Sequence, residues 1–339
     1  QMTYALMEAA QAAKLIPIDG RIALKPNLVL AAPPERGATT HAGVLSGAIE
    51  YLRDHGVKHI EIIESSWVGG RTEEARRAAG YDTVCKKYGV PFYDLKLDHA
   101  ASVDTPFGPI AICDRARAAD VLINLPVLKG HCQTGMTCAM KNCKGCIPDK
   151  EKRRFHAAGL MKPIAALAWA LRPRLTIVDS ICGDLDFEEG GNPVPTGRMY
   201  LGTDMVQLDA YGCQLMGLRL EDVPYIQWAQ RWGVGSAQVE EGDIVRLNHP
   251  EQGTDYPTPS GRVAKLTRGV QADQACSACY AALVRALNTA GGAGGVPIAI
   301  GQGWQGRSFD GLGIGRCCDG AFRQVKGCPP AVQDIMDAL

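Results

Sequence analysis

The 339-residue sequence has no long apolar run: nothing in it reaches the roughly 18 residues that a membrane span needs. It has no excess of one charge, with 36 basic and 36 acidic residues, so no global field draws it to nucleic acid or to a membrane surface. Aromatic residues are scarce at 6% while glycine is abundant at 39, which suits a compact α/β enzyme better than a binding sandwich. No P-loop glycine spacing occurs, and a nucleotide cofactor is not expected. The first twenty residues carry Met2, Glu8 and Lys14 in a helix-like pattern, not in the charged-then-apolar order of a secretory signal. The chain begins at Gln1, which leaves room for a removed leader, and the expected setting is the cytoplasm.

Cysteine, by contrast, is plentiful. Thirteen is an odd number in a chain long enough to build a good core without disulfide staples, so these thiols point to metal, catalysis or plain burial. Cys85, Cys113 and Cys213 stand in helical or apolar contexts and read as small buried hydrophobes.

Apolar runs at 21–29, 58–64, 91–94, 120–125 and 174–179 read as strands, with helical patterns at 2–14, 43–55, 72–88, 159–171, 204–217 and 221–232 between and after them. Residues 102–112 read as a hairpin turning at Phe107-Gly108, and 244–247 as a short strand. This alternation predicts an α/β fold, a mostly parallel sheet with helices on both faces, over residues 1–248. Proline and glycine mark 249–262 as a linker. Residues 263–339 form a small C-terminal α/β subdomain with a helix from Cys276 to about Ala290, a strand at 296–300, glycine-rich loops and a last helix.

The C-terminal part holds a 2 + 1 + 1 set: Cys276-x-x-Cys279, Cys317 or Cys318, and Cys328-Pro329. Four thiolates suit zinc or an iron–sulfur cluster. Zinc ribbons usually bring a second close pair, whereas here the last two cysteines stand about ten residues apart. A cysteine followed by proline occurs in ferredoxin-type ligand runs, so a 4Fe–4S cluster on Cys276, Cys279, Cys317 and Cys328 is the expectation.

The other concentration lies just past the strand Asp120-Val-Leu-Ile-Asn-Leu-Pro126, where open α/β sheets place ligands. Cys132, Cys138, Cys143 and Cys146 fall within fifteen residues, and seven Lys or Arg face two acids between Lys129 and Arg154. Lys129, His131 and Lys141, set among glycines and thiols, are the candidate catalytic residues: the lysines to bind a carboxylate or phosphate, and the lysine and imidazole to move a proton. Cys132, Cys138 and Cys146 can join Cys182 as a second metal site, or be packing residues on a functional loop. Residues 150–154 read as a solvated charge run paired with Asp184, Asp186, Glu188 and Glu189. Asn27, Thr39, Thr40, His41, Glu64 and Ser65 sit at strand ends on the same edge, where turn chemistry explains several of them nearly as well.

Lys25-Pro-Asn27, the strand 120–126 with Lys129 and His131, Thr134-Gly-x-Thr137, Lys141-Asn142, Gly145, Pro148, His156 and Asp204-x-x-x-x-Asp209 together resemble the family catalogued as domain of unknown function 362. The tail Cys-x-x-Cys…Gly-Cys-Pro-Pro is similar to its cluster-bearing branch. That resemblance implies an iron–sulfur protein but no particular reaction, and it places an apolar residue where Cys143 stands. His131-x-x-x-Gly135 with Lys141 is also remotely similar to the histidine-glycine-lysine segment of lactate racemase-type proteins. The expected function is an iron–sulfur oxidoreductase that passes electrons to a small anionic substrate, with a redox partner protein and no nucleic acid or membrane. The alternatives are a metal-dependent acid–base isomerase or lyase, and a non-enzymatic electron carrier or cluster-handling protein.

Overall fold

The structure is a computed structural model that describes residues 1–248, 255–257 and 261–339. Two compact units result, one of residues 1–66, 70–151 and 161–258, the other of 67–69, 152–160 and 259–339. Most of the expected linker, 249–254 and 258–260, lies outside the described residues.

The first unit is built on near-continuous apolar strands, as strands covered on both faces must be. These are β1 (Arg21–Pro26), β2 (His59–Glu64) and β3 (Phe92–Asp94). A separate antiparallel hairpin follows, β4 (Ala100–Val103) with β5 (Ile110–Cys113). Then come β6 (Val121–Leu125), the small hairpin β7 (Lys129–His131) with β8 (Gly135–Thr137), and β9 (Leu175–Ser180). A second small hairpin, β10 (Gly183–Asp184) with β11 (Pro193–Val194), leads to β12 (Arg198–Gly202).

The main sheet has the order β12-β9-β6-β1-β2-β3, with only β12 running antiparallel, against β9. Ile22, Leu24, Ile62, Ile123 and Ile177 are fully buried between helices. Ala42–Asp54 shows why the helices cover the sheet: Val44, Leu45, Ala48, Ile49 and Leu52 recur at helical spacing and are buried on one face. Because β1, β2, β6 and β9 run parallel, their C-terminal ends share one edge, and the segments after them converge there.

The second unit has its own four-stranded parallel sheet of β13 (Val270–Ala272), β14 (Ile298–Ile300), β15 (Phe309–Ile314) and β16 (Ala321–Val325). Helices Ser277–Ala290 and Val332–Ala338 bury Leu283, Leu287 and Ile335 against Ile298, Ile300, Leu312 and Ile314.

Two sequence expectations fail. Residues 244–247 are not a strand: Val245 is 81% and Leu247 48% exposed, so this apolar pair has no sheet to join. Phe309–Ile314, read as a glycine-rich loop, is a strand, because burial of Leu312, Gly313 and Ile314 outweighs the low strand propensity of glycine. Among the described residues no helix is long and apolar enough to cross a membrane.

Candidate functional site

At the shared strand edge of the first unit, polar side chains go inward where the rest of the sheet is apolar. Lys25, at the end of β1 and fully buried, bonds Glu64 at the end of β2, Pro26 O at 2.8 Å and Asn142 Oδ1 at 3.3 Å. Asn142 donates through Nδ2 to Asn124 Oδ1 at 2.8 Å, and Asn124 Nδ2 donates to Ala139 O at 2.8 Å. Ser65 Oγ donates to Gly145 O at 2.8 Å. A Cβ at Gly145 would run into Glu64 Oε1 and Lys25 Nζ, so any larger residue there would have to displace this ion pair. This lattice fastens the loop 139–146 to the ends of β1, β2 and β6. Asp209 completes it by accepting from the N–H groups of Ala139 at 2.6 Å and Met140 at 3.1 Å, a cap on the short helix Ala139–Asn142. Burial pushes the Asp209 carboxyl up to about 7.

Lys129, His131 and Lys141 come together on Glu188, which the sequence had suggested only as a partner for the charge run 150–154. His131 Nε2 lies 2.6 Å and Lys141 Nζ 2.9 Å from the same oxygen, Glu188 Oε2. Lys129 Nζ donates to Ala38 O at 2.5 Å, Glu188 O at 2.8 Å and Asn27 Oδ1 at 3.4 Å. The N–H groups of Gln133 and Thr134 donate to His131 Nδ1 at 3.0 and 3.2 Å, so the ring proton sits on Nε2 and points at Glu188.

Every member of this network is nearly inaccessible, and burial is the largest influence on Lys129, His131 and Glu189. It drags Lys129 down to about 7, with Lys141 assisting against the pull of Glu188. It takes His131 down to about 4, leaving a neutral imidazole. Burial would also raise Glu188, but His131, Lys141 and Lys129 outweigh it and hold the carboxyl well below its ordinary range. Glu189 next to it rises to about 7, through burial and then the charge of Glu188. Two groups poised near neutrality, a fixed histidine tautomer and a carboxylate form an arrangement that can exchange protons.

Glu188 is carried by the segment between β10 and β11, which is packed down on β7. A Cβ at Gly130 would stand 2.2 Å from Leu185 O, so glycine lets the two backbones touch. Gly130→Ala is expected to lift this segment, cost about 1–3 kcal/mol and open residues 185–191 to limited proteolysis, while urea midpoints measure the loss. The expectation of a solvated charge run at 150–154 does not hold for Glu151 and Lys152. Asp184 is held by four backbone N–H groups and Glu188 by His131 and Lys141, while Glu151 and Lys152 are buried at 7% and 4% exposure rather than solvated.

The weaker strand-end candidates divide. Thr39 Oγ1 donates to Ala32 O at 3.1 Å within its own loop, whereas Thr40 Oγ1 donates to Leu125 O at 2.7 Å at the end of β6 and accepts from Asn27 N, so Thr40 ties the loop to two strand ends. His41 Nδ1 lies 2.9 Å from Asp179 Oδ2, whose bond raises the imidazole pKa despite the burial that would lower it.

The thiols also divide. Cys113 and Cys213 are buried as expected and Cys85 is half-buried, while Cys143 is fully buried with Sγ 3.8 Å from Ala139 O, a packing residue. Cys132 lies near Glu188 and Glu189, Cys138 near Asp209, Cys146 near Lys25 and Cys143, and Cys182 near Asp179 and Asp184, so the four suggested for a second metal site have different surroundings. In the second unit the pattern is different. Burial first, then Cys276, Cys328, Cys317 and Cys318, all raise the Cys279 thiol, so these sulfurs are within electrostatic reach of one another. Cys318 directs its thiol to Ala299 O at 3.4 Å inside an apolar cluster with Trp304, which leaves Cys317 facing Cys328. None of the thirteen cysteines is in a disulfide. Among the described residues no three His, Cys, Asp or Glu side chains are close enough together to hold a metal ion.

The family described as a domain of unknown function (DUF362) matches residues 22–214, more than half of the chain and all of the network just described. The thylakoid-associated protein sll1697 of Synechocystis sp. (strain ATCC 27184 / PCC 6803 / Kazusa) is 27% identical over 243 residues, covering 68% of this chain and 73% of that protein. Among solved structures, the lactate racemase apoprotein from Thermoanaerobacterium thermosaccharolyticum aligns with a TM-score of 0.41 and 14% identity over 62% of this chain. The alignment spans about half of that protein, 54% of its length.

Proposed function

The chain belongs to the domain of unknown function (DUF362) family, and from that premise we propose that it is an iron–sulfur oxidoreductase acting on a small anionic substrate. The observation that carries this reading is the gathering of cysteines outside any disulfide around Cys279. Thiolates at Cys276, Cys279, Cys317 and Cys328 would repel one another, and a cationic iron–sulfur core would relieve that repulsion, so the chemistry of the donor set suits the group although no three of these side chains are close enough together to hold a single metal ion. Bound by these four cysteines, a 4Fe–4S cluster would supply single electrons.

The first unit contributes the proton chemistry. Lys141 Nζ and His131 Nε2 offer hydrogen bonds to an anion, and Lys129, with its pKa near 7, exchanges a proton at Nζ under neutral conditions. Burial keeps water from these groups, which strengthens each interaction. A cytoplasmic setting and a redox partner protein belong to the same reading.

Anaerobic purification with iron and sulfide analysis tests it. About four irons per chain, with a broad visible band bleached by dithionite, are expected. Cys276→Ser should lose the iron, whereas Cys318→Ser should keep it because that thiol is engaged elsewhere. A colourless zinc protein, or full iron content in Cys276→Ser, would reject the assignment.

A second reading, an acid–base isomerase or lyase, is favoured by one feature: Lys129 and Glu189 both titrate near 7 within a network that needs no electron to work. A cluster that stays redox-silent during turnover, with activity abolished by His131→Ala, would select it.

A further inference from the structure

Glu188 sits on a strap that is tied at its base. β10 and β11 pair antiparallel, and between them the chain folds back so that Asp184 accepts from the N–H groups of Asp186 at 2.9 Å, Phe187 at 2.6 Å, Gly191 at 2.8 Å and Asn192 at 2.6 Å. The strap therefore keeps its own hydrogen bonds and can move as a piece. The groups that meet Glu188 come from elsewhere: His131 from β7 and Lys141 from the helix Ala139–Asn142.

The contact is chemically lopsided. One carboxylate oxygen, Oε2, takes both His131 Nε2 and Lys141 Nζ, while Oε1 is buried with no hydrogen-bond partner among the described residues. A purely structural carboxylate would be expected to satisfy both oxygens, because an unserved one costs free energy. A receptacle of hydrogen-bond donors built for a carboxylate, filled imperfectly by a side chain on a separable strap, is the arrangement of a site holding a substitute.

We propose that Glu188 is a built-in stand-in for the substrate: the carboxylate of a small organic acid takes its place on His131 Nε2 and Lys141 Nζ as the strap lifts. This rests on the reading of the same site given above and narrows its anionic substrate to a carboxylate. The closed strap keeps the donors from other anions until a ligand competes for them. Lys129, bonded to the Glu188 carbonyl, registers whether the strap is seated.

The test is thermal unfolding of the full chain, purified anaerobically, as Glu188→Ala and as the unaltered protein. Sodium formate, acetate, phosphate and chloride are compared at equal ionic strength. Truncation removes the substitute and leaves the donors, so about 0.1 M formate or acetate should raise the variant's Tm by about 5 °C and leave the unaltered protein nearly unmoved. Equal insensitivity of both proteins overturns the proposal, and a larger response to phosphate than to formate overturns the carboxylate assignment. Should Glu188→Ala fail to fold, Glu188→Gln keeps the packing and loses the charge. Its strap should then be cut by protease between 185 and 191 about tenfold faster than in the unaltered protein, and an unchanged rate sinks the idea. Iron content separates this from the redox reading: rescue without iron leaves the stand-in and removes the oxidoreductase, while iron without rescue does the reverse.

Discussion

Glu64→Ala should destabilise the first unit by about 3–5 kcal/mol, among the largest single-residue losses available in this chain. The Lys25 and Glu64 side chains are only 1% and 4% exposed, so removing one partner strands the other where no water can replace it. Lys25 would keep Pro26 O and Asn142 Oδ1, which are neutral acceptors and recover only part of the loss. The damage should also spread, because Asn142, Asn124 and Ala139 hang from the same lysine. Replacing both partners, Lys25→Met with Glu64→Leu, should cost much less than the single change, since the desolvation of two charges is then never incurred. Urea unfolding of the three variants, followed by near-UV signals of each unit, measures this. A single-variant loss under about 1 kcal/mol would mean that the pair is not buried in solution.

The same residues show what a sequence discloses and what it withholds. The strands at the sheet centre were legible because apolar runs are local and burial on both faces tolerates nothing else. That 129–146 would gather polar side chains was legible too, from lysines and a histidine placed among glycines after a buried strand. Glu188 was not, because its role depends on a contact 57 residues away from His131 (188 − 131) and its own neighbourhood reads as an ordinary acidic turn. Nor did Glu64 advertise a buried partner, since the burial comes from Gly145 leaving space 81 residues later (145 − 64). The edge strand β12 and the strand β15 were hidden for another reason: both owe their state to a neighbour already in the sheet, which composition does not record.

Lys129 supplies the other large effect, as a slope instead of a step. Burial lowers its folded-state pKa from 10.5 to about 7. Between those values the unfolded chain holds a proton that the folded chain has released, so stability rises with pH across that window by about 1.4 kcal/mol per unit. Below about 7 both states are protonated and the full cost of burying the ammonium is present. Asp209 and Glu189 act in the opposite sense, because their raised carboxyl pKa values remove stability as pH climbs toward about 7, and they are silent above it. The alkaline side therefore belongs to Lys129 among these three. Lys129→Met abolishes the titration while filling similar space, so the stability of the unaltered protein relative to this variant should climb by about 2–3 kcal/mol between about pH 7.5 and 9.5. Urea midpoints at four pH values suffice to see it. A flat difference would mean that the folded protein keeps the Lys129 proton throughout. Lys129 would then be a fixed cation anchoring the Ala38 and Glu188 carbonyls, and proton transfer in this centre would have to be reassigned from it to Glu189.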